Sequence, residues 1–140
     1  MWKNKLRQKD NFQSEELNEN NKRIKWIDYK DNKILYVDYS NIYTTDELLT
    51  TIEKVNDFIK NHGDLKILLL VDTRNSVAKE KIAVDALKNS ATIVKPYVKK
   101  AAVVGISRTQ EVILTLVNMF SSLGLKPFNT MDTAEEWLIQ

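Results

Sequence analysis

The sequence contains no cysteine. That excludes a disulfide framework, a thiolate nucleophile and every cysteine-based metal site. Its single histidine, His62, excludes a histidine cluster able to hold a metal. The three glycines are scattered, so no glycine-rich loop is present to cradle a phosphate. No apolar run approaches the ~18 residues of a membrane-spanning helix. The opening "MWKNKLRQKD" carries basic residues without the apolar core of a signal peptide, so the cytoplasm is the expected compartment. Neither sign of charge is in excess. The 21 Lys and Arg against 19 Asp and Glu leave a net charge of +2, too little to argue for nucleic acid as a partner.

What is present suffices for one core. A chain of 140 residues, 43% hydrophobic and 29% charged, reads as a single soluble domain. Residues 1–21 form a polar lead-in whose sizeable apolar groups are Trp2, Leu6, Phe12 and Leu17. They are too few to offset the entropy of ordering the segment, which is expected to be frayed or ordered only by docking. Lys3, Lys5, Arg7 and Lys9 make its start basic, as in a solvated tail or an arm for an anionic surface. The domain is expected to span residues 22–140.

Within it, "RIKWIDYKDNKILYVDYSN" alternates in character and predicts two antiparallel strands. Asp31 and Asn32 in "KDNK" are expected to take the positive φ of a tight hairpin turn. Thr44 and Glu47 have capping-box spacing, Leu48, Ile52, Val55 and Ile59 recur at helical spacing, and Gly63 is placed to end that helix. Residues 66–72 read as a central strand covered on both faces. Residues 78–98 predict a second helix, with Ile82, Ala86, Leu87, Ile93, Val94 and Tyr97 apolar and Pro96 disturbing the last turn. "KKAAVVGIS" is a strand. Ser107 and Gln110 form another capping box before a helix whose buried stripe is expected to be Val112, Ile113, Leu116, Val117 and Phe120, closed by Gly124. "LKPFNT" suits a short edge strand. The last helix is expected to start at Asp132 as N-cap, with Trp137 and Leu138 turned inward. The order β-β-α-β-α-β-α-β-α implies an α/β fold: a mixed, mostly parallel sheet of about five strands with four main helices and right-handed crossovers.

The run "LKILLLVDTRNS" ends abruptly in polar residues. The carboxyl end of a parallel strand is where open α/β sheets bind ligands, and the following helix start favours an anion. Asp72, Thr73, Arg74 and Ser76 are therefore candidate partner- or anion-binding residues. The structural alternative is that Ser76 or Asn75 caps the second helix while Asp72 bonds nearby backbone N–H groups. "VVGIS" followed by Arg108 is a second junction of this kind. It adds Ser107 and Arg108 as candidates, with Gly105 allowing close backbone approach. His62 sits at a helix end with no acid or nucleophile at motif spacing, which fits capping better than catalysis. No nucleophile–base pair appears, and no metal or cofactor is implied. Leu114, Met119 and Val84 lie off the main stripes, which fits a large core, an apolar groove or a subunit interface.

"LLLVDTRNS", "VKKAAVVGIS" and "VNMFSSLGLKPFNTMDTAEEWL" together resemble the SpoIIAA-like group, also described as STAS/SEC14-like domains. The resemblance covers about residues 23–139. It implies a β/α sandwich shared by anti-sigma-factor antagonists and lipid-carrying SEC14 domains. Antagonists of that kind carry an Asp-Ser-Ser-Gly motif whose serine is phosphorylated. Here Asp72 and Ser76 are present without the Ser-Ser and Gly. The implied function is a non-enzymatic regulatory module that binds a protein partner. The alternative is a carrier of a lipid or other small apolar ligand, and a homo-oligomer is compatible with either.

Overall fold

The computed structural model describes residues 23–63, 66–76 and 80–140. The expectations for the lead-in, residues 1–21, lie outside the described residues. The strands are β1 (Ile24–Tyr29), β2 (Asn32–Asp38), β3 (Ile67–Asp72), β4 (Val98–Val104) and β5 (Lys126–Phe128). The helices are α1 (Thr45–His62), α2 (Lys81–Val94), α3 (Arg108–Ser121) and α4 (Met131–Leu138), and a 3-10 turn spans Lys95–Tyr97. The strands lie in the order β1-β2-β3-β4-β5. Only β1 and β2 are antiparallel; the remaining pairs are parallel. This is the mixed, mostly parallel sheet that the alternating pattern predicts, with β3 at its centre and Asp72 as its last residue.

The hairpin turn falls one residue earlier than expected. Lys30 (φ 46) and Asp31 (φ 65) take the left-handed conformations. Asn32 instead enters the ladder opposite Tyr29, and its side chain donates back to the Lys30 carbonyl at 3.0 Å. A lysine is thereby held at positive φ, a position more often given to Asn or Gly.

Strand alternation sorts the sheet into two faces. Leu35, Val37, Leu69, Val71, Ala101 and Val103 pack in one cluster with Leu48, Ile52, Val55 and Ile59 of α1, and with parts of α2 and α3. Ile34, Leu70, Ala102 and Val104 form the other, against Ala134 and Leu138 of α4. Gly63 (φ 75) ends α1, and Thr44 accepts from the Glu47 N–H at its start, as the spacing predicts. Pro96 lacks an N–H to continue α2, and the chain tightens there into the 3-10 turn.

Several ends differ from the sequence expectation. The start of α2 is Lys81 rather than residue 78, and its N-cap Glu80 makes no side-chain capping bond. The C-cap of α3 is Ser122 (φ 59), not Gly124. Asn118 clamps the connector that follows, accepting from the Leu125 N–H and donating to the Leu125 carbonyl, both at 2.9 Å. The N-cap of α4 is Thr130, whose hydroxyl accepts from the Thr133 N–H, so Asp132 falls in the first turn, where its charge suits the helix dipole.

The largest difference is the rotation of α3. Its buried residues are Val117 and Ser121, with Ile113 and Leu114 half-buried. Val112 (64% exposed), Leu116 (43%), Met119 (76%) and Phe120 (55%) face outward. Polar residues decide this orientation. The Gln110 side chain turns inward to bond Ser76, and the Ser121 hydroxyl donates to the Val117 carbonyl at 2.6 Å and accepts from the Leu123 N–H.

Candidate functional site

Three loops leave the carboxyl ends of β2, β3 and β4, and backbone hydrogen bonds tie them together. Tyr39 N–H donates to the Asp72 carbonyl at 2.8 Å, Asn41 N–H to the Arg74 carbonyl at 3.0 Å, and Thr73 N–H to the Val104 carbonyl at 2.9 Å. The Thr73 hydroxyl donates to the same Val104 carbonyl at 3.0 Å. Asn75 (φ 57) turns the chain, and the Ser76 N–H closes that turn on the Thr73 carbonyl. Asparagine tolerates this left-handed position better than most residues.

Asp72 is wholly buried. Its carboxylate accepts from Arg74 Nε at 3.0 Å, Arg74 Nη2 at 2.6 Å, the Arg74 backbone N–H at 3.0 Å and the Tyr36 hydroxyl at 2.8 Å. Burial by itself raises a carboxyl pKa, but these donors outweigh it and hold Asp72 below the usual carboxylate range. The Tyr36 phenol is pushed up, first by burial and then by its bond to the carboxylate. Lys25 Nζ lies 5.4 Å from the Tyr36 ring centroid, over its face. The expected bond from Asp72 to a nearby backbone N–H is present, and with these partners the carboxylate is enclosed within the protein.

Ser76 does not cap α2, which corrects the structural alternative. The helix begins at Lys81, past Ser76. The Ser76 hydroxyl donates to the Thr73 carbonyl at 2.9 Å, and Gln110 Nε2 donates to the Ser76 carbonyl at 2.7 Å and hydroxyl at 3.2 Å. The other end of the Gln110 amide accepts from the Ser107 N–H at 3.1 Å, while the Ser107 hydroxyl accepts from the Gln110 N–H. One side chain thus completes the capping box of α3 and fastens the β3 loop to the β4 loop. The structure brings Thr73, Ser76 and Ser107 together through Gln110. Arg74 is 58% exposed and reaches back over Asp72. Arg108 is exposed at the first turn of α3 and forms no ion pair among the described residues.

Ser76→Ala is expected to cost about 1 kcal/mol, the scale of one neutral hydrogen bond. Ser76→Asp should cost more, because its carboxylate meets the Thr73 carbonyl where the hydroxyl donates. Urea unfolding of both variants checks the order; equal costs would return Ser76 to an ordinary solvent-facing role.

Behind Thr73, Ser76 and Gln110 lies a cavity of about 110 Å³. It sits between the sheet and the helices, with walls that include Leu69, Val71, Leu87, Ala91, Leu114 and Val117. Natural interiors leave few voids larger than a water molecule.

Gln110 carries a signal in the sequence as a capping residue, but its bond to Ser76 spans 34 positions and no local pattern reveals it. Gly105 is legible as a site of close approach, and the structure identifies what approaches: the Arg74 backbone and side chain rather than a ligand. Tyr36 and Tyr39 read as ordinary sheet residues, and nothing in their spacing points to Asp72 or to the cavity. Among the described residues, no group of three or more His, Asp or Glu is placed to hold a metal, and no helix is long and apolar enough to cross a membrane.

No curated protein and no solved structure matches the chain. The model of the SpoIIAA-like family matches residues 34–139, from within β2 to the end of α4 and well over half of the sequence, and the chain therefore belongs to the SpoIIAA-like family.

Proposed function

We propose that this domain is a regulatory protein-interaction module of the STAS type, without catalytic activity of its own. Domains of this family are generally non-enzymatic and generally mediate protein interactions. The observation that carries the reading for this chain is the outward face of α3. Val112, Leu116, Met119 and Phe120 stand at helical spacing and lie exposed, although inward-facing positions on the same helix hold Gln110 and Ser121. An i, i+4, i+7, i+8 stripe is the pattern by which one amphipathic helix packs on another. Arg108 stands at one end of the stripe, and Lys88 Nζ lies 4.7 Å from the Phe120 ring centroid at the other. The partner that fits is a protein presenting an apolar helix face with carboxylates at its margins.

In this reading the candidate residues divide. Arg74, Ser107 and Arg108 are exposed and belong to the loop end of the docking face. Asp72, Thr73 and Ser76 hold the loops in place from within. The lipid-carrier alternative draws less support, because the apolar cavity of about 110 Å³ is smaller than the ~300–1,000 Å³ of ordinary ligand pockets, and the larger groove of about 770 Å³ beside α3 and β5 has Ser107, Glu111, Thr115, Asn118 and Asn129 among its walls.

A photo-crosslinking residue at Met119, in the full chain expressed in its native cell, tests the proposal. A discrete adduct with a different protein is expected. Leu116→Asp should abolish it while leaving stability within about 0.5 kcal/mol, as surface substitutions do. No adduct, or an adduct joining two copies of this chain, would overturn the reading.

A further inference from the structure

We propose that α3 is a rotary switch: turned about its own axis by one residue's worth of angle, it withdraws Val112, Leu116 and Phe120 into the core and closes the docking face described above. The inference rests on that face being the interaction surface and supplies its regulation. Successive residues stand about 100° apart around a helix. In the observed packing the inner arc holds Gln110, Ile113, Leu114, Val117 and Ser121. Turned by roughly that angle, the helix presents Val112, Ile113, Leu116, Val117 and Phe120 inward, and Gln110, Glu111, Thr115, Asn118 and Ser121 outward. The turned arrangement separates apolar from polar residues more cleanly than the observed one, which leaves Phe120 55% exposed while Ser121 is buried.

Three features make the turned packing reachable. The first is room: the half-open apolar cavity borders Ile113, Leu114 and Val117 of α3, and its α2 wall carries the small Ser90 and Ala91. The second is a hinge. The connector after α3 holds Ser122 (φ 59) and Gly124 (φ 73), and a β-carbon at Gly124 meets nothing within 4 Å, so the backbone there has space to rewind. The third is the nature of the restraints, which are few and polar. At one end Gln110 Nε2 donates to the Ser76 carbonyl and hydroxyl; at the other, Asn118 holds Leu125 and the Ser121 hydroxyl accepts from the Leu123 N–H. Such bonds exchange with water at small net cost, so they act as latches between two packings. The Gln110 amide is the latch at the end where the loops meet, and it holds the apolar stripe outward.

The chain has no cysteine, so one introduced thiol reports on one position. Leu116→Cys and Ser121→Cys, each in the full chain, are labelled with a maleimide, first with Gln110 in place and then with Gln110→Glu. Glutamate still accepts from the Ser107 N–H and keeps the capping box, but it offers Ser76 no donor. With the latch broken, labelling at Leu116→Cys is expected to slow, and labelling at Ser121→Cys to quicken, each by about threefold or more, the scale of one lost hydrogen bond. Opposite changes are the mark of rotation, because local unfolding quickens both. Two quicker rates, or two unchanged ones, would overturn the switch; Val112→Cys replaces Leu116→Cys if that variant does not fold. The labelling needs no partner, so it is decided apart from the docking reading. Photo-crosslinking from Met119 then joins the two: Gln110→Glu should lower the adduct about threefold or more. An undiminished adduct would overturn the regulatory role, whereas no adduct with Gln110 in place would count against the docking reading alone.

Discussion

Gly105→Ala is expected to destabilise the domain by about 3 kcal/mol or more, a large effect for the addition of one methyl group. A β-carbon built at this position lies 2.3 Å from Arg74 Cγ, 2.7 Å from the Arg74 nitrogen and 2.9 Å from its Cα. Overpacking of this kind typically costs ~1–3 kcal/mol. The residue also sits at φ +84, where an L side chain adds roughly 1–2 kcal/mol. Truncating the Arg74 side chain removes only the first of the three contacts, because the other two are backbone. The double variant Gly105→Ala, Arg74→Ala should therefore remain at least as unstable as Gly105→Ala alone. Chemical denaturation of the single and the double variant measures this. Full rescue in the double variant would mean that the side chain alone makes the close approach. Gly63 and Gly124 provide internal controls for the conformational part, since a β-carbon at either meets nothing within 4 Å although both have positive φ.

Why the sheet was legible and the site was not follows from the range of the interactions that fix each. The β3 run, the α1 stripe and the caps at Thr44 and Ser107 are written in neighbouring residues, and each local preference agrees with the final fold. The rotation of α3 is different. Val112, Ile113, Leu114, Leu116, Val117, Met119 and Phe120 are apolar nearly all around the helix, so periodicity alone leaves the buried arc undetermined. Contacts far away in sequence decide it, chiefly the Gln110 amide reaching Ser76. The same holds for Ser76. Read locally, a serine after a strand and before a helix is a cap. Once α2 begins at Lys81, the hydroxyl is free to join the Thr73 turn and the Gln110 amide instead. The family match covers residues 34–139, so β1 and the hairpin turn lie before it; their pairing follows from strand alternation and is visible in the register Ile24↔Val37 to Tyr29↔Asn32.

Arg74→Ala is expected to cost about 2–3 kcal/mol at pH 7, and less as the pH falls toward 4. The wild-type Asp72 carboxylate is buried and draws its charge-assisted bonds from the Arg74 side chain, with Tyr36 and one backbone N–H adding the rest. Removing one partner of a buried pair strands the other, and the stranded charge carries most of the loss. Water reaching the space left by the half-exposed arginine keeps the figure below that of a fully sealed pair. The pH dependence has opposite signs in the two proteins. In the wild type the Asp72 carboxyl is held below its unfolded value, so its contribution is present above about pH 4 and is lost as pH falls through the folded pKa. In the variant, burial without the guanidinium raises the carboxyl above its unfolded value. Its contribution is then full below about pH 4 and is lost as pH rises through the folded pKa. The gap between the two proteins therefore narrows on acidification, because a neutral carboxylic acid tolerates the buried site that a lone carboxylate does not. Urea unfolding at pH 7 and pH 4 reads this directly. A difference that stays constant with pH would mean that Arg74 acts through the packing of its hydrocarbon stem on Gly105 and not through its charge. Tyr36→Phe separates the remaining donor: it should cost about 1 kcal/mol and leave the Arg74 pair, and with it the acid limb of the stability profile, in place.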